Sequence, residues 1–149
     1  RMQGYREGIT EAGGVFLDEE VQYANAVADQ AVTCMEAIMN KYPDGVAIIC
    51  SNNDDMAMAA ARAAADNPAY ENTIFLGFDG QQSACQAVLD GELTMTAAQN
   101  NFDIGYQAVE TMVKILRGEE YDEVVDTGTE IITQENAAER LAKFDEWLA

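Results

Sequence analysis

The sequence predicts an α/β protein with a doubly wound, mostly parallel sheet. Short apolar runs typical of buried strands alternate with longer segments whose apolar residues recur at helical spacing. Polar residues follow the apolar runs at once, as they do at the carboxyl ends of strands in open α/β sheets. Alternation of strands and helices favours parallel pairing, with helices packed on both faces of the sheet.

The first half of the chain predicts three helices and two strands. The helices are expected at residues 4–12, 25–40 and 54–66, and the strands at Val15–Leu17 and 46–50. Gly13 and Gly14 end the first helix, and Asn67-Pro68 ends the third. The strand at 46–50 is apolar throughout, which predicts burial on both faces.

The second half predicts three more strands and three more helices. The strands are expected at 73–78, at 93–98 and within 124–133, and the helices at 81–89, 102–116 and 134–148. The helix at 102–116 carries an apolar stripe that we expect to point inward, formed by Ile104, Ala108, Met112, Ile115 and Leu116. The terminal helix spaces four residues for one face, namely Ala137, Leu141, Phe144 and Leu148.

The charge excludes several classes of function. A net charge of −19 with no histidine leaves no basic patch for nucleic acid and disfavours adsorption to anionic membranes. No apolar run reaches the roughly 18 residues that a spanning helix needs.

Three scattered cysteines without a CxxC pair, Cys34, Cys50 and Cys85, give no disulfide framework or zinc site. Catalysis by Ser–His or Cys–His is excluded, and we predict no cofactor, no metal site and no enzymatic activity.

Asn53 and Asp54 follow the apolar strand at 46–50 and open an alanine-rich helix. Such side chains make directional hydrogen bonds, so the feature indicates recognition and not catalysis. Both residue types also favour helix N-caps, and we expect Asp54 to cap the helix while Asn53 faces a cleft. Asp79-Gly80 is equally compatible with an ordinary turn, residues 99–101 with a helix start, and Arg1 with a solvated chain end.

Several segments together resemble the type I periplasmic binding proteins, the sugar-binding components of bacterial ABC transporters related to ribose- and galactose-binding proteins. They are, in order, residues 1–5, Tyr42-Pro43-Asp44 with Ser51–Ala57, Gly77-Phe78-Asp79-Gly80, Ala87–Leu93 with Thr96–Asn100, and more weakly Ile131–Asn136. Each motif is weak alone, and their order and spacing make the set fairly specific.

The resemblance implies two α/β lobes joined by three crossovers, with a sugar in the cleft between them. Residues 1–98 would form the C-terminal lobe without its first strand. Residues 99–123 would form the hinge crossover and a helix that packs on an N-terminal lobe, and 124–149 the return strand and terminal helix. The helix at 102–116 would then expose its apolar stripe. We therefore expect self-association of this chain, a second chain that completes the fold, or a rearrangement in which residues 100–123 fold back on their own lobe.

The resemblance also implies ligand contacts at four residues, which are Arg1, Asn53, Asp79 and Gln99. Arginine supplies a rigid fork of donors, and aspartate supplies acceptors for two neighbouring hydroxyls. The family's stacking aromatic falls at Ala26 in this chain, and Tyr23 lies nearby but out of register. Tyr23 is therefore a further candidate, together with Asn25 and Asn52.

These features favour a solute-binding protein whose partners are a sugar and an ABC transporter permease. Its location would be the periplasm, or the cell exterior as a lipoprotein. One alternative is the effector domain of a LacI-type transcription regulator, which shares the fold. A remote alternative is a Mg²⁺-dependent phosphoacceptor domain built on Asp18, Glu19, Asp54 and Asp55, although a receiver would need a lysine that residues 93–101 lack.

Overall fold

Helices and strands alternate along residues 1–148, the part of the chain that the computed structural model describes. The helices are α1 (Met2–Glu11), α2 (Ala28–Lys41), α3 (Asp54–Ala64), α4 (Gln82–Leu89), α5 (Asn101–Arg117) and α6 (Ala137–Leu148). The strands are β1 (Ile48–Cys50), β2 (Ile74–Asp79), β3 (Met95–Gln99) and β4 (Thr129–Ile132). Short 3-10 turns lie at Asp18–Glu20 and Pro68–Tyr70.

The described strands form one sheet in the order β1-β2-β3-β4. The β1–β2 and β2–β3 pairs are parallel, and α3 and α4 make the crossovers between them. The β3–β4 pair is antiparallel, with Ala97 opposite Ile131. The α/β fold with a mostly parallel sheet is therefore confirmed.

Small side chains let the helices pack closely around this sheet. Four alanines of α3 are at most 7% exposed, and α3 packs against α2, where Ala31 and Met35 are buried. α3 also contacts α4, and α6 packs against α4, with Ala137 fully buried and Leu141 and Phe144 against the core. The predicted fourth member of that α6 face, the side chain of Leu148, lies outside the described residues.

One predicted strand is absent, and another is present but shorter and less buried than predicted. Val15–Leu17 is not a strand, and Val15 and Leu17 are 80% and 45% exposed. A strand needs a hydrogen-bonding neighbour, and among residues 1–148 no strand lies beside this segment. The strand predicted at 46–50 is shorter, Ile48–Cys50, and only half-buried, because it is the edge strand of the described sheet.

The inward orientation predicted for the stripe of α5 is wrong. Within the described chain no residue of α5 is buried, and Met112 and Leu116 are 55% and 78% exposed. α6 meets α5 near its start, where the rings of Phe102 and Trp147 stack with their centroids 6.4 Å apart. Across residues 1–148 we find no helix with both the length and the apolarity that crossing a membrane requires.

Candidate functional site

The ends of β2 and β3 bring two of the predicted residues together. The strands run in parallel with Phe78 opposite Ala97 and Asp79 opposite Ala98, so their carboxyl ends share one edge. Gln99 at the end of β3 donates from Nε2 to Oδ1 of Asp79, at 2.6 Å. Both side chains are partly exposed, so a solute can reach them.

Arg1 reaches the same edge from the chain segment before α1. Its Nη2 lies 3.1 Å from Oδ1 of Asp79, and its Nη1 donates to the backbone carbonyl of Asn52. The guanidinium also lies over the ring of Phe78, 3.9 Å from the ring centroid. Among the contacts described for residues 1–148, none engages Oδ2 of Asp79. This arrangement leaves one carboxylate oxygen as an acceptor for a ligand.

Asn53 lies at the edge as well, but its role differs from the prediction. Its backbone is extended, and its Oδ1 accepts a hydrogen bond from the N–H of Met56 at 2.9 Å, so Asn53 is the N-cap of α3. The expectation that Asp54 caps this helix is therefore wrong. Asn52 contributes its carbonyl to Arg1, while its own side chain is exposed.

Asp54 is the first residue of α3 and is fully buried. Its Oδ1 accepts from the hydroxyl of Thr96 at 2.6 Å, and its Oδ2 accepts from the backbone N–H of Gln81 at 2.8 Å. Burial raises the pKa of Asp54, and these two hydrogen bonds act in the opposite direction. Sequence reasoning missed this role, because it depends on the strand register that brings Thr96 of β3 beside Asp54.

Tyr5 supports the loop after β1 and was also missed. Its hydroxyl donates to the carbonyl of Ser51 at 2.9 Å, and burial is the main cause that raises the pKa of Tyr5 to about 12. Tyr5 lies one helical turn beyond Arg1, and its backbone N–H bonds to the Arg1 carbonyl. This i, i+4 spacing was the signal in the sequence.

The edge opens into a cleft of about 620 Å³. Its lining comprises Arg1, Phe78 and Gln99, together with Ile104 near the start of α5 and the segment 125–129. Sequence reasoning did not assign this segment to the site, because it has no periodicity or motif. Behind the edge, Nη2 of the buried Arg140 donates to the carbonyl of Gln99 at 2.9 Å and so fixes the end of β3.

Two further candidates stand apart from this cluster. Tyr23 is 80% exposed, and Asn25 bonds to Gln30 at 2.9 Å. No hydrogen bond or ion pair described for residues 1–148 joins either of them to Arg1, Asp79 or Gln99. The structure therefore brings together Arg1, Asp79 and Gln99, and Arg1 also contacts the backbone of Asn52, the residue before Asn53.

Two of the four acidic residues of the phosphoacceptor alternative have other partners. Asp18 pairs with Arg6, and Asp54 is held by Thr96 and Gln81. Within the described residues no three or more aspartate, glutamate or cysteine side chains are grouped so that they could hold a metal ion.

Comparisons with known proteins point to one family. The sequence profile described as periplasmic binding protein domain matches residues 1–120. The ribose import binding protein of Salmonella typhimurium is 34% identical over 119 residues, which are 80% of this chain and 39% of that protein. Its Escherichia coli K12 counterpart is 36% identical over 90 residues, covering 60% of this chain and 30% of that protein.

Solved structures agree with these relatives. An ABC transporter solute binding protein from Bacillus halodurans C-125 with bound myo-inositol matches with a TM-score of 0.82 and 26% identity. The match covers 95% of this chain and 48% of that one. The chain thus spans less than half the length of these relatives.

Proposed function

Because the chain belongs to the periplasmic binding protein domain family, we propose that it binds a small sugar or related polyol at the carboxyl edge of its sheet. The solute would contact Arg1, Asp79, Gln99 and Asn53, and binding would involve no chemical reaction. The names of the relatives, which bind ribose or myo-inositol, support this class of ligand.

The contact of Arg1 and Gln99 with one oxygen of Asp79 carries the proposal. A guanidinium fork, a carboxylate and a carboxamide together supply donors and acceptors in fixed directions, which is what neighbouring hydroxyl groups need. The contacts also hold each side chain in place before a ligand arrives, so less conformational entropy is lost on binding.

We further propose that a second lobe outside these 149 residues closes over the cleft. The hinge crossover would begin near Gln99, and the segment 99–123 would pack on that lobe. The greater length of the relatives and the exposed stripe of α5 support this arrangement. In this proposal the complete protein delivers its solute to an ABC transporter permease from the periplasm or, as a lipoprotein, from the cell surface.

Calorimetric titration of Asp79→Asn with a panel of pentoses, hexoses and inositols tests the proposal. Asparagine keeps the size of the side chain and shares the backbone preferences of aspartate, but removes the charge. We expect the affinity to fall by about 1.5–3 kcal/mol, because the ligand loses a charge-assisted hydrogen bond. The titration should use both the 149-residue chain and the longer protein that contains it.

Asp66→Asn is the matched control, since it removes the same charge from an exposed position just after α3, at the end opposite its N-terminus. It should leave affinity unchanged. Wild-type protein that binds none of the panel would rule out a sugar ligand, and Asp79→Asn with wild-type affinity would move the site away from this edge.

A further inference from the structure

The buried carboxylate of Asp54 joins four elements beneath the candidate site. It starts α3, accepts from Thr96 on β3, and accepts from the backbone of Gln81 between β2 and α4. Among residues 1–148 no lysine or arginine forms an ion pair with it. Burying a carboxylate without a cation costs folding free energy, so a purely structural role would be met better by an apolar side chain.

Two glycines, Gly77 and Gly80, make room for the carboxylate of Asp54 and for the turn at residues 79–81. A Cβ on Gly77 of β2 would lie 2.3 Å from Oδ1 of Asp54, so only glycine admits the carboxylate there. A Cβ on Gly80 would lie 2.2 Å from Cβ of Ala98, so the turn also passes close over β3. The turn at residues 79–81 is therefore clamped between Asp54 below and β3 beside it.

Asp79 adopts an unfavourable backbone conformation within this turn. Its φ is 115°, a region that residues with a Cβ seldom occupy. Such a conformation persists only where surrounding contacts determine it, and the hydrogen bond from Gln81 to Asp54 lies two residues further along. Without that bond, the turn would be free to relax and Asp79 would change direction.

We propose that Asp54, held by Thr96, is the positioning residue that orients Asp79 toward the ligand. Asp54 fixes the backbone at Gln81, and that in turn holds Asp79 where Arg1 and Gln99 can contact its carboxylate. The inference rests on the proposed sugar-binding function of the same edge and adds a residue that does not touch the ligand.

Paired threonine variants separate this role from general stabilisation. Thr96→Val removes the hydroxyl that bonds to Asp54. Thr73 lies just before β2 and has another buried hydroxyl, which donates to the carbonyl of Val46 at 2.6 Å and is removed in Thr73→Val. Both variants lose a buried hydrogen bond, and Thr96→Val should lose more thermal stability because its partner is a carboxylate. Only Thr96→Val should weaken sugar binding, by about tenfold, because only it loosens the support of Asp79.

Asp54→Asn is the second variant, because it keeps the shape of the side chain but leaves one fewer acceptor for Thr96 and Gln81. We expect it to weaken binding by at least as much as Thr96→Val. Equal affinity in wild type, Thr96→Val and Asp54→Asn would overturn the inference. An equal loss of sugar affinity in Thr73→Val and Thr96→Val would also overturn the inference, since both losses would then follow from lower stability alone. If Asp54→Asn does not fold, the threonine pair still decides.

Amide hydrogen exchange measured by NMR without ligand gives an independent readout. Exchange at the Gln81 amide should accelerate in Thr96→Val and Asp54→Asn, and the signals of Asp79 should shift, while Thr73→Val leaves both unchanged. If no sugar binds to wild type but these changes occur, the sugar-binding function fails and the support of the turn stands. Unchanged Gln81 and Asp79 signals would overturn the inference itself.

Discussion

Two glycines with nearly the same φ allow backbone strain and steric contact to be separated. Gly80 has a φ of +70° and Gly118 a φ of +68°, but only at Gly80 would a Cβ meet other atoms within 4 Å. We expect Gly118→Ala to lose about 1–2 kcal/mol from backbone strain. Gly80→Ala should lose clearly more, because Ala98 must also move. Urea denaturation of both variants measures the difference in the free energy of unfolding. Equal losses would show that the turn at Gly80 accommodates the added Cβ without a further loss of stability.

The N-cap at Asn53 gives a second prediction at the scale of single residues. Asn53→Ala should destabilise the protein by about 0.5–2 kcal/mol, because the N–H of Met56 loses its acceptor. Asn53→Asp is the control, since it keeps the acceptor and places a negative charge at a helix N-terminus. Thermal denaturation followed by circular dichroism checks both. If Asn53→Asp is destabilised, the side-chain NH₂ group of Asn53 and not its Oδ1 matters for stability.

At the scale of elements, the sequence predicted well where an element packs against the elements next to it in the chain. The strands β2 and β3 and the helices α3 and α4 lie close to their expected positions, since each packs against its neighbours in sequence. Val15–Leu17 has strand-like composition, yet hydrogen bonding to another strand decides whether a strand forms. Composition alone does not contain that information.

The same reasoning explains which parts of the site were predictable. Asp79 and Gln99 could be paired in advance because parallel strands end at one edge. The part played by Asp54 could not, because it depends on the register that puts Thr96 beneath the turn. The segment 125–129 was missed because it is irregular backbone without a motif.

The exposed face of α5 predicts how the isolated chain behaves in solution. Val109 and Leu116 are 67% and 78% exposed on a helix without a buried residue in the described chain. An apolar patch of this kind promotes association. Val109→Gln with Leu116→Gln should reduce self-association in analytical ultracentrifugation and leave the melting temperature nearly unchanged. A wild-type chain that remains monomeric at high concentration would contradict this prediction.

For the whole molecule, the net charge of −19 predicts a response to salt. Like charges repel in the compact state, and raising the ionic strength from about 0.1 to 1 M shortens the screening length from about 10 to 3 Å. We expect potassium chloride to raise the melting temperature. A variant with Glu120, Asp122 and Glu123 changed to their amides should respond less, because it carries three fewer negative charges. A melting temperature that falls with added salt would refute this.

The strands lie in the sheet in the same order as in the chain, which bears on how the protein folds during synthesis. Each strand can dock on its predecessor as soon as it leaves the ribosome, so β1, β2 and β3 can assemble before the rest of the chain exists. The outer edge of β3 then stays open until β4 and α6 are made. Nascent chains that end before residue 129 should therefore be the ones that chaperones hold and proteases cut.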